Sequence, residues 1–181
     1  MRCRFTVSLA VLGFGLAAFT ADRASADDKA PFNFPTLDGW ELKGRFDPPS
    51  APATFVCYGR KGKVGDRANG AVRITVPGAG GKTVADALPG FEKTILEDES
   101  FRDAKKAETA EYRVGKTGIA ATRVTFTGHL SGDAFDRVLV VAPVGGWFLK
   151  FEFDVNPGSR KERTATVEKL IEAVVEAATA K

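Results

Sequence analysis

The chain has 181 residues, of which 44% are hydrophobic and 27% charged, and its formal net charge is +3. That much apolar material excludes a disordered chain, and the near balance of charge excludes the strongly basic surface with which proteins grip nucleic acid. Only two cysteines are present, so a disulfide scaffold is excluded as well.

Residues 1–26 read as a cleavable export signal. Arg2 and Arg4 precede an apolar run from Phe5 to Phe19, and Ala24-Ser25-Ala26 supplies the small residues that signal peptidase accepts, so the mature chain is expected to begin at Asp27. The run is too short to cross the ~30 Å hydrocarbon layer as an ordinary transmembrane helix. Cleavage leaves 155 of the 181 residues, and because three arginines and one aspartate depart with the leader, the formal charge falls from +3 to about +1. That length suits one domain. Cys3 leaves with the leader and precedes its apolar run, so it is misplaced for lipid attachment. Cys57 then stands alone, and no intramolecular disulfide can form. The expected location is the periplasm or the extracellular side, with no transmembrane segment after cleavage.

Residues 27–38 carry two prolines and no hydrophobic period, which predicts an extended arm ahead of a domain at 39–181. Trp40, Leu42 and Phe46 alternate with polar residues as a first strand that Pro48, Pro49 and Pro52 end. A second strand covers 54–59. Residues 60–70, rich in glycine and charge, form a loop, and Val72, Ile74 and Val76 alternate as a third strand. Thr83 is a helix N-cap before Val84, Ala87, Leu88, Phe91, Ile95 and Leu96, with Pro89-Gly90 predicting a kink or two short helices. After a charged segment, further strands are expected at 107–114, 118–128, 135–143 and 147–155. Gly145-Gly146 marks a two-residue hairpin between the last two, a central buried pair. Val167, Leu170, Ile171, Val174, Val175 and Ala178 then form the continuous apolar stripe of a closing helix.

The order predicts an α+β fold: a mainly antiparallel sheet of about six or seven strands covered by amphipathic helices. Four features, Gly39-Trp40-Glu41-Leu42, the stretch from Ile74 to Pro77 leading into Thr83 to Leu88, the hairpin from Gly145 to Phe151, and the closing helix, together resemble the PsbP-like family. The resemblance covers roughly residues 39–178 and implies an α-β-α sandwich, shared with the extrinsic protein of photosystem II and a Ran-binding nuclear-transport factor. It rests on element order and hydrophobic pattern, so it carries over no functional residue. A fold so widely used does not determine function.

The segment from Val76 to Thr83 ends in Gly81-Lys82-Thr83, as a phosphate-binding P-loop does. That motif needs glycine where Val76 stands, and a parallel sheet where an antiparallel one is expected. The stretch reads instead as a glycine-rich turn, with Lys82 and Thr83 as weak candidates for an anion at the helix N-terminus. His129, Asp133 and Asp136 could offer a nitrogen and two carboxylates to a metal, although their spacing matches no known ligand pattern and a solvated hairpin end is the simpler reading. Cys57 shares a strand face with Phe55 and reads as a buried thiol, the alternatives being an intermolecular disulfide or a reactive thiol. Arg60, Lys61, Lys63 and Arg67 form a basic loop able to touch anionic lipid, polysaccharide or an acidic protein.

No nucleophile and base fall together in this pattern, and no cofactor motif is complete. The expectation is a non-enzymatic exported domain that binds an unidentified protein or envelope component, without nucleic acid or cofactor. Two alternatives stand beside it: a carrier or enzyme with a pocket between sheet and helix, and a structural subunit that dimerises through an exposed sheet face.

Overall fold

The computed structural model describes Ala30 and residues 32–61 and 71–180. The leader, and Lys63 and Arg67 of the basic loop, lie outside the described residues. Seven strands, β1 (Trp40–Phe46), β2 (Thr54–Arg60), β3 (Ala71–Val76), β4 (Phe101–Val114), β5 (Ile119–Leu130), β6 (Asp133–Val144) and β7 (Trp147–Val155), form one sheet in the order β1-β2-β3-β7-β6-β5-β4. Every neighbouring pair is antiparallel. Helix α1 (Val84–Leu96) enters between β3 and β4, and α2 (Arg160–Thr179) follows β7. This is the expected α+β sandwich.

Alternation places two cores on the two faces. Val56, Tyr58, Val72, Ile74, Val140, Phe151 and Phe153 meet Val167, Leu170, Ile171 and Val174 of α2 in one cluster, with Trp147 packed against it. On the opposite face Val124, Phe126, Leu139, Val141 and Phe148 meet Ile95 of α1, with Leu88 and Phe91 beside them. α1 covers only the half of its face built from β4 to β6 and the start of β7.

Several local outcomes differ from the expectations. The helix is continuous through Pro89, because Pro89 and Gly90 lie on its exposed side and the carbonyl left without a donor can be hydrated. The charged segment after α1 is the first half of β4, an edge strand whose exposed residues need no apolar period. In β1 the register shifts between Leu42 and Gly44, and the alternation expected to bury Leu42 and Phe46 fails. They are 47% and 54% exposed. A bulge of one residue turns the following side chains, Phe46 among them, to the other face, whereas Leu42, ahead of the bulge and paired with Tyr58, lies at the open edge of the sheet.

The residues expected as an arm pack onto the sheet on the α2 side. The Ala30 N–H donates to Thr54 Oγ1 at 2.9 Å, and the Thr54 hydroxyl donates to Asp47 Oδ1 at 2.8 Å. Phe32, Phe34 and Leu37 pack against the larger core. Tyr58 donates its hydroxyl proton to the Pro35 carbonyl at 2.6 Å. This segment covers the part of the sheet that α2 does not reach, so the packed unit extends back at least to Ala30.

Two outcomes follow for stability. Leu170 is fully buried beneath α2, and Leu170→Ala is expected to lower unfolding free energy by about 2–5 kcal/mol in urea denaturation. A change below about 0.5 kcal/mol, as at a surface site, would show that α2 does not close the core. Burial pushes the Tyr58 phenol up to about 12, above the roughly 10 of an unfolded tyrosine. A raised folded value means that the stabilisation is complete below pH ~10 and disappears as pH rises through the folded value. Wild type should therefore lose stability relative to Tyr58→Phe between pH 8 and pH 11 in paired denaturation curves; a constant difference would overturn the assignment.

Candidate functional site

α2 presents two faces. Its apolar stripe enters the core, while Glu162, Ala165, Thr166 and Lys169, spaced i, i+3, i+4 and i+7, form a second row beside it. That row is one wall of an open groove of about 560 Å³, within the ~300–1,000 Å³ usual for ligand clefts. The other wall is Leu37 and Asp38 of the N-terminal segment together with Trp40 and Arg60, and Leu170 borders the floor.

The walls are held in place by the sheet. Trp40 pairs with Arg60 across β1 and β2, the Trp40 N–H donates to Leu37 O at 3.1 Å, and the Lys61 N–H donates to Gly39 O at 3.0 Å. Arg163, buried at the start of α2, lies 5.6 Å above the Trp40 ring and donates to Ala71 O at 3.1 Å. The helix is thus fixed against β1 and β3 at the groove. Asp38, Arg60, Glu162 and Lys169 all line it, and none makes an ion pair with another described residue. Four charges of both signs therefore face an apolar floor with their binding capacity open.

Of the residues marked in the sequence, the structure brings only Arg60 into this groove, with exposed Lys61 next to it. Lys63 and Arg67 lie outside the described residues. Thr83 and Asp86 close a capping box on α1: the Asp86 N–H donates to Thr83 Oγ1 at 3.3 Å, and the Thr83 N–H donates to Asp86 Oδ2 at 2.9 Å. Hydrogen bonds from Thr83 hold the exposed Asp86 carboxyl below its ordinary value. The chain's own carboxylate thus occupies the helix end where Lys82 and Thr83 were candidates for an anion. The preceding turn is tied to the β6–β7 hairpin, with the Ala79 N–H on Gly146 O at 2.8 Å and the Phe148 N–H on Pro77 O at 2.9 Å, so its backbone does not wrap an empty cradle. Lys82 stands at the rim of a separate cleft of about 570 Å³ that Phe91 and Phe148 also line.

His129, Asp133 and Asp136 do not converge. The His129 Nδ1 lies 3.6 Å from Asp103 Oδ2, Asp133 pairs with Leu130 across the hairpin, and Asp136, 3% exposed, accepts a hydrogen bond from Arg160 Nε at 2.8 Å. Among the described residues no three His, Cys, Asp or Glu side chains gather to hold a metal. Cys57 is half-buried rather than buried, because Val56 and Tyr58 take the core face and Cys57 looks out on the sheet half that α1 leaves uncovered. Burial pushes its thiol up, and Arg73 and Lys43 draw it only partly back.

The sequence reading missed Asp38, Trp40, Glu162, Thr166 and Lys169 as groove residues. The signal was present in α2 as a polar row offset from the apolar stripe, but such a row is indistinguishable in sequence from a solvated face.

No family model matches the sequence, and no curated protein matches it. Among solved structures, the chain is similar to cyanobacterial PsbP (CyanoP) from Synechocystis sp. PCC 6803, with a TM-score of 0.52 and 13% identity over 85% of this chain and 88% of that one. It also aligns with LpqN of Mycobacterium tuberculosis, a protein involved in cell envelope biogenesis, at a TM-score of 0.43 and 18% identity over 80% of each chain. A Pseudomonas aeruginosa protein of unknown function, PA94, aligns at 0.46 and 11% identity over 76% of this chain and 82% of that one. The fold is PsbP-like.

Because the Ala79, Lys82 and Thr83 amides of the glycine-rich turn are engaged within the chain and a valine stands at position 76, ATP with magnesium is expected to give no saturable heat on calorimetric titration. Lys82→Ala should leave the fold unchanged, since Lys82 is exposed. Micromolar binding that vanishes in that variant would restore the nucleotide reading.

Proposed function

We propose that this protein is an exported accessory domain that holds a partner in the groove between α2 and β1 without transforming it. The observation that carries the reading is the groove itself: four charged side chains that make no ion pair among the described residues, set around the apolar Trp40 and Leu170. Charges that could have been satisfied within the fold, as Arg137 and Asp136 are, remain available there to another molecule. The leader pattern supports an address outside the cytoplasm, and no helix among the described residues is long and apolar enough to cross a membrane. Cys57 is not set up as a nucleophile. A nucleophilic cysteine needs a lowered pKa, and that of Cys57 is raised.

A carrier with a pocket beneath a helix is less well supported, because Leu170, Ile171 and Val174 of α2 and Phe151 and Phe153 of β7 fill the space there. The binding surface lies beside the helix.

Two measurements test the proposal. Mass spectrometry of the protein recovered from the exported fraction should find Asp27 at its N-terminus; a mature form that retains Met1 would refute export. A photo-crosslinking residue at exposed Ala165 should capture a partner in that fraction, whereas one at exposed Lys105 on the β4 edge should not. Equal capture at both sites, or none at Ala165, would remove the groove from the proposal.

A further inference from the structure

The arrangement of charge along the groove specifies what it can take. On the α2 wall Glu162 and Lys169 are seven residues apart, on the same side of the helix. At ~1.5 Å per residue that separation is about 10 Å along the axis, with the negative group toward the helix start and the positive group beyond it. Between them lie Ala165 and Thr166, and the Thr166 hydroxyl is turned back to the Glu162 carbonyl at 2.9 Å. The stretch between the charges is therefore small and offers no free polar hydrogen from Thr166. An extended chain in the polyproline II conformation advances ~3.1 Å per residue with three residues per turn, so side chains three positions apart return to one face about 9 Å on.

We infer that the groove binds an extended, polyproline II-like peptide segment of a partner protein in which a basic residue and an acidic residue stand three positions apart on one face, with an apolar side chain between them. The inference rests on the groove being the binding site of the accessory domain. In the bound segment the basic group faces Glu162, the acidic group faces Lys169, and the apolar side chain descends toward Trp40 and Leu170. Asp38 and Arg60 on the facing wall again provide one charge of each sign, so a segment of a single charge meets repulsion wherever it lies. A peptide fits better than a free small molecule because the groove is open. Asp38, Glu162, Ala165 and Lys169 are all exposed, whereas small-ligand pockets enclose roughly 70–90% of their ligand. A segment anchored in a larger partner does not depend on enclosure.

The probe is a capped peptide containing Lys-Leu-Ser-Glu, titrated into the full mature protein and followed by amide and indole NMR shifts. Its control has the same composition with Lys and Glu adjacent. The shifts are expected to centre on Trp40, Arg60 and residues 162–170, and the control should bind at least about fivefold more weakly. Glu162→Lys and Lys169→Glu each turn an attraction into a repulsion, so each should weaken the matched peptide by roughly fivefold or more. The double exchange should restore it, because the peptide can then bind turned end for end. All three changes are at exposed positions, and wild-type titration alone already decides between matched and control peptide if a variant misfolds. Equal binding of the two peptides, shifts centred elsewhere, or no loss in either single variant would overturn the inference. If Ala165 still crosslinks a partner while the two peptides bind alike, the accessory role stands and the peptide class falls. If neither occurs, both fall.

Discussion

The antiparallel pairing of β3 with β7 is the contact on which the rest of the structure depends. It joins two meanders that are far apart in the chain, β1 to β3 and β4 to β7, into one sheet, with Val72 opposite Phe153 and Ile74 opposite Phe151. Bringing such distant strands together costs loop-closure entropy before any contact rewards it. The compensation is hydrophobic: Ile74, Phe151 and Phe153 are each almost completely buried, at about 1.5–3 kcal/mol for each large side chain. The same pairing brings the end of β7, and hence the start of α2, beside Trp40 and Ala71. Without it the groove would have only one wall.

On the opposite face a chain of alternating charge crosses the same seam. Arg137 of β6, 2% exposed, is paired with Asp98 at the end of α1 and with Asp154 of β7, and its guanidinium lies 4.5 Å from the centre of the Phe101 ring. Arg73 of β3 approaches Asp154 and Glu152 at 3.8 and 3.6 Å, and Lys150 is paired with Glu152. Burial pushes the Asp98 carboxyl up, but hydrogen bonds from Ser100 and Arg137 outweigh it and hold the group below its ordinary value. Replacing such a network by apolar groups can leave stability unchanged, whereas removing one partner strands a buried charge. Its evident consequence here is positional: it ties the end of α1 to β6 and β7, and so sets where the helix stops covering the sheet. The half of that face left open carries these paired ions at β3 and β7 and, toward the β1 edge, Cys57 and the Phe46 and Phe55 rings, whose centres are 6.2 Å apart.

The two sheet edges are also guarded. β4 carries register breaks between Arg102 and Lys105 and between Lys106 and Glu108, and its outer residues are largely charged. β1 carries its own bulge, with the Lys43 stem lying against Gly59, where a Cβ would come within 3.0 Å of it. Charges and bulges on edge strands oppose pairing with another chain. That favours recognition through a side-chain-lined groove over assembly by added strands.

Much of the fold was determined by local pattern. The alternation in β2, β3 and β7, the Gly145-Gly146 hairpin and the 3.6-residue stripe of α2 each specify an element and its buried face without reference to any other, because burial against water imposes its period directly on the sequence. The Thr83 cap was legible because it meets another local requirement, a side-chain oxygen for the free N–H groups at a helix start. What only the tertiary structure decided were the features that depend on two distant segments at once. The bulge in β1 turns Phe46 away from the core, the Asp98 and Asp154 carboxylates make a buried Arg137 tolerable, and residues 32–38, legible in sequence only as an extended arm, pack as one wall of the groove. The groove belongs to this class. Asp38 and Arg60 have no sequence relation to Glu162 and Lys169, and each alone reads as a solvated charge; they become one site because β3 and β7 close the sheet and α2 crosses it. Helical and strand periods are encoded in neighbouring residues, whereas the facing of two charged walls is encoded in the long-range pairing that holds them apart.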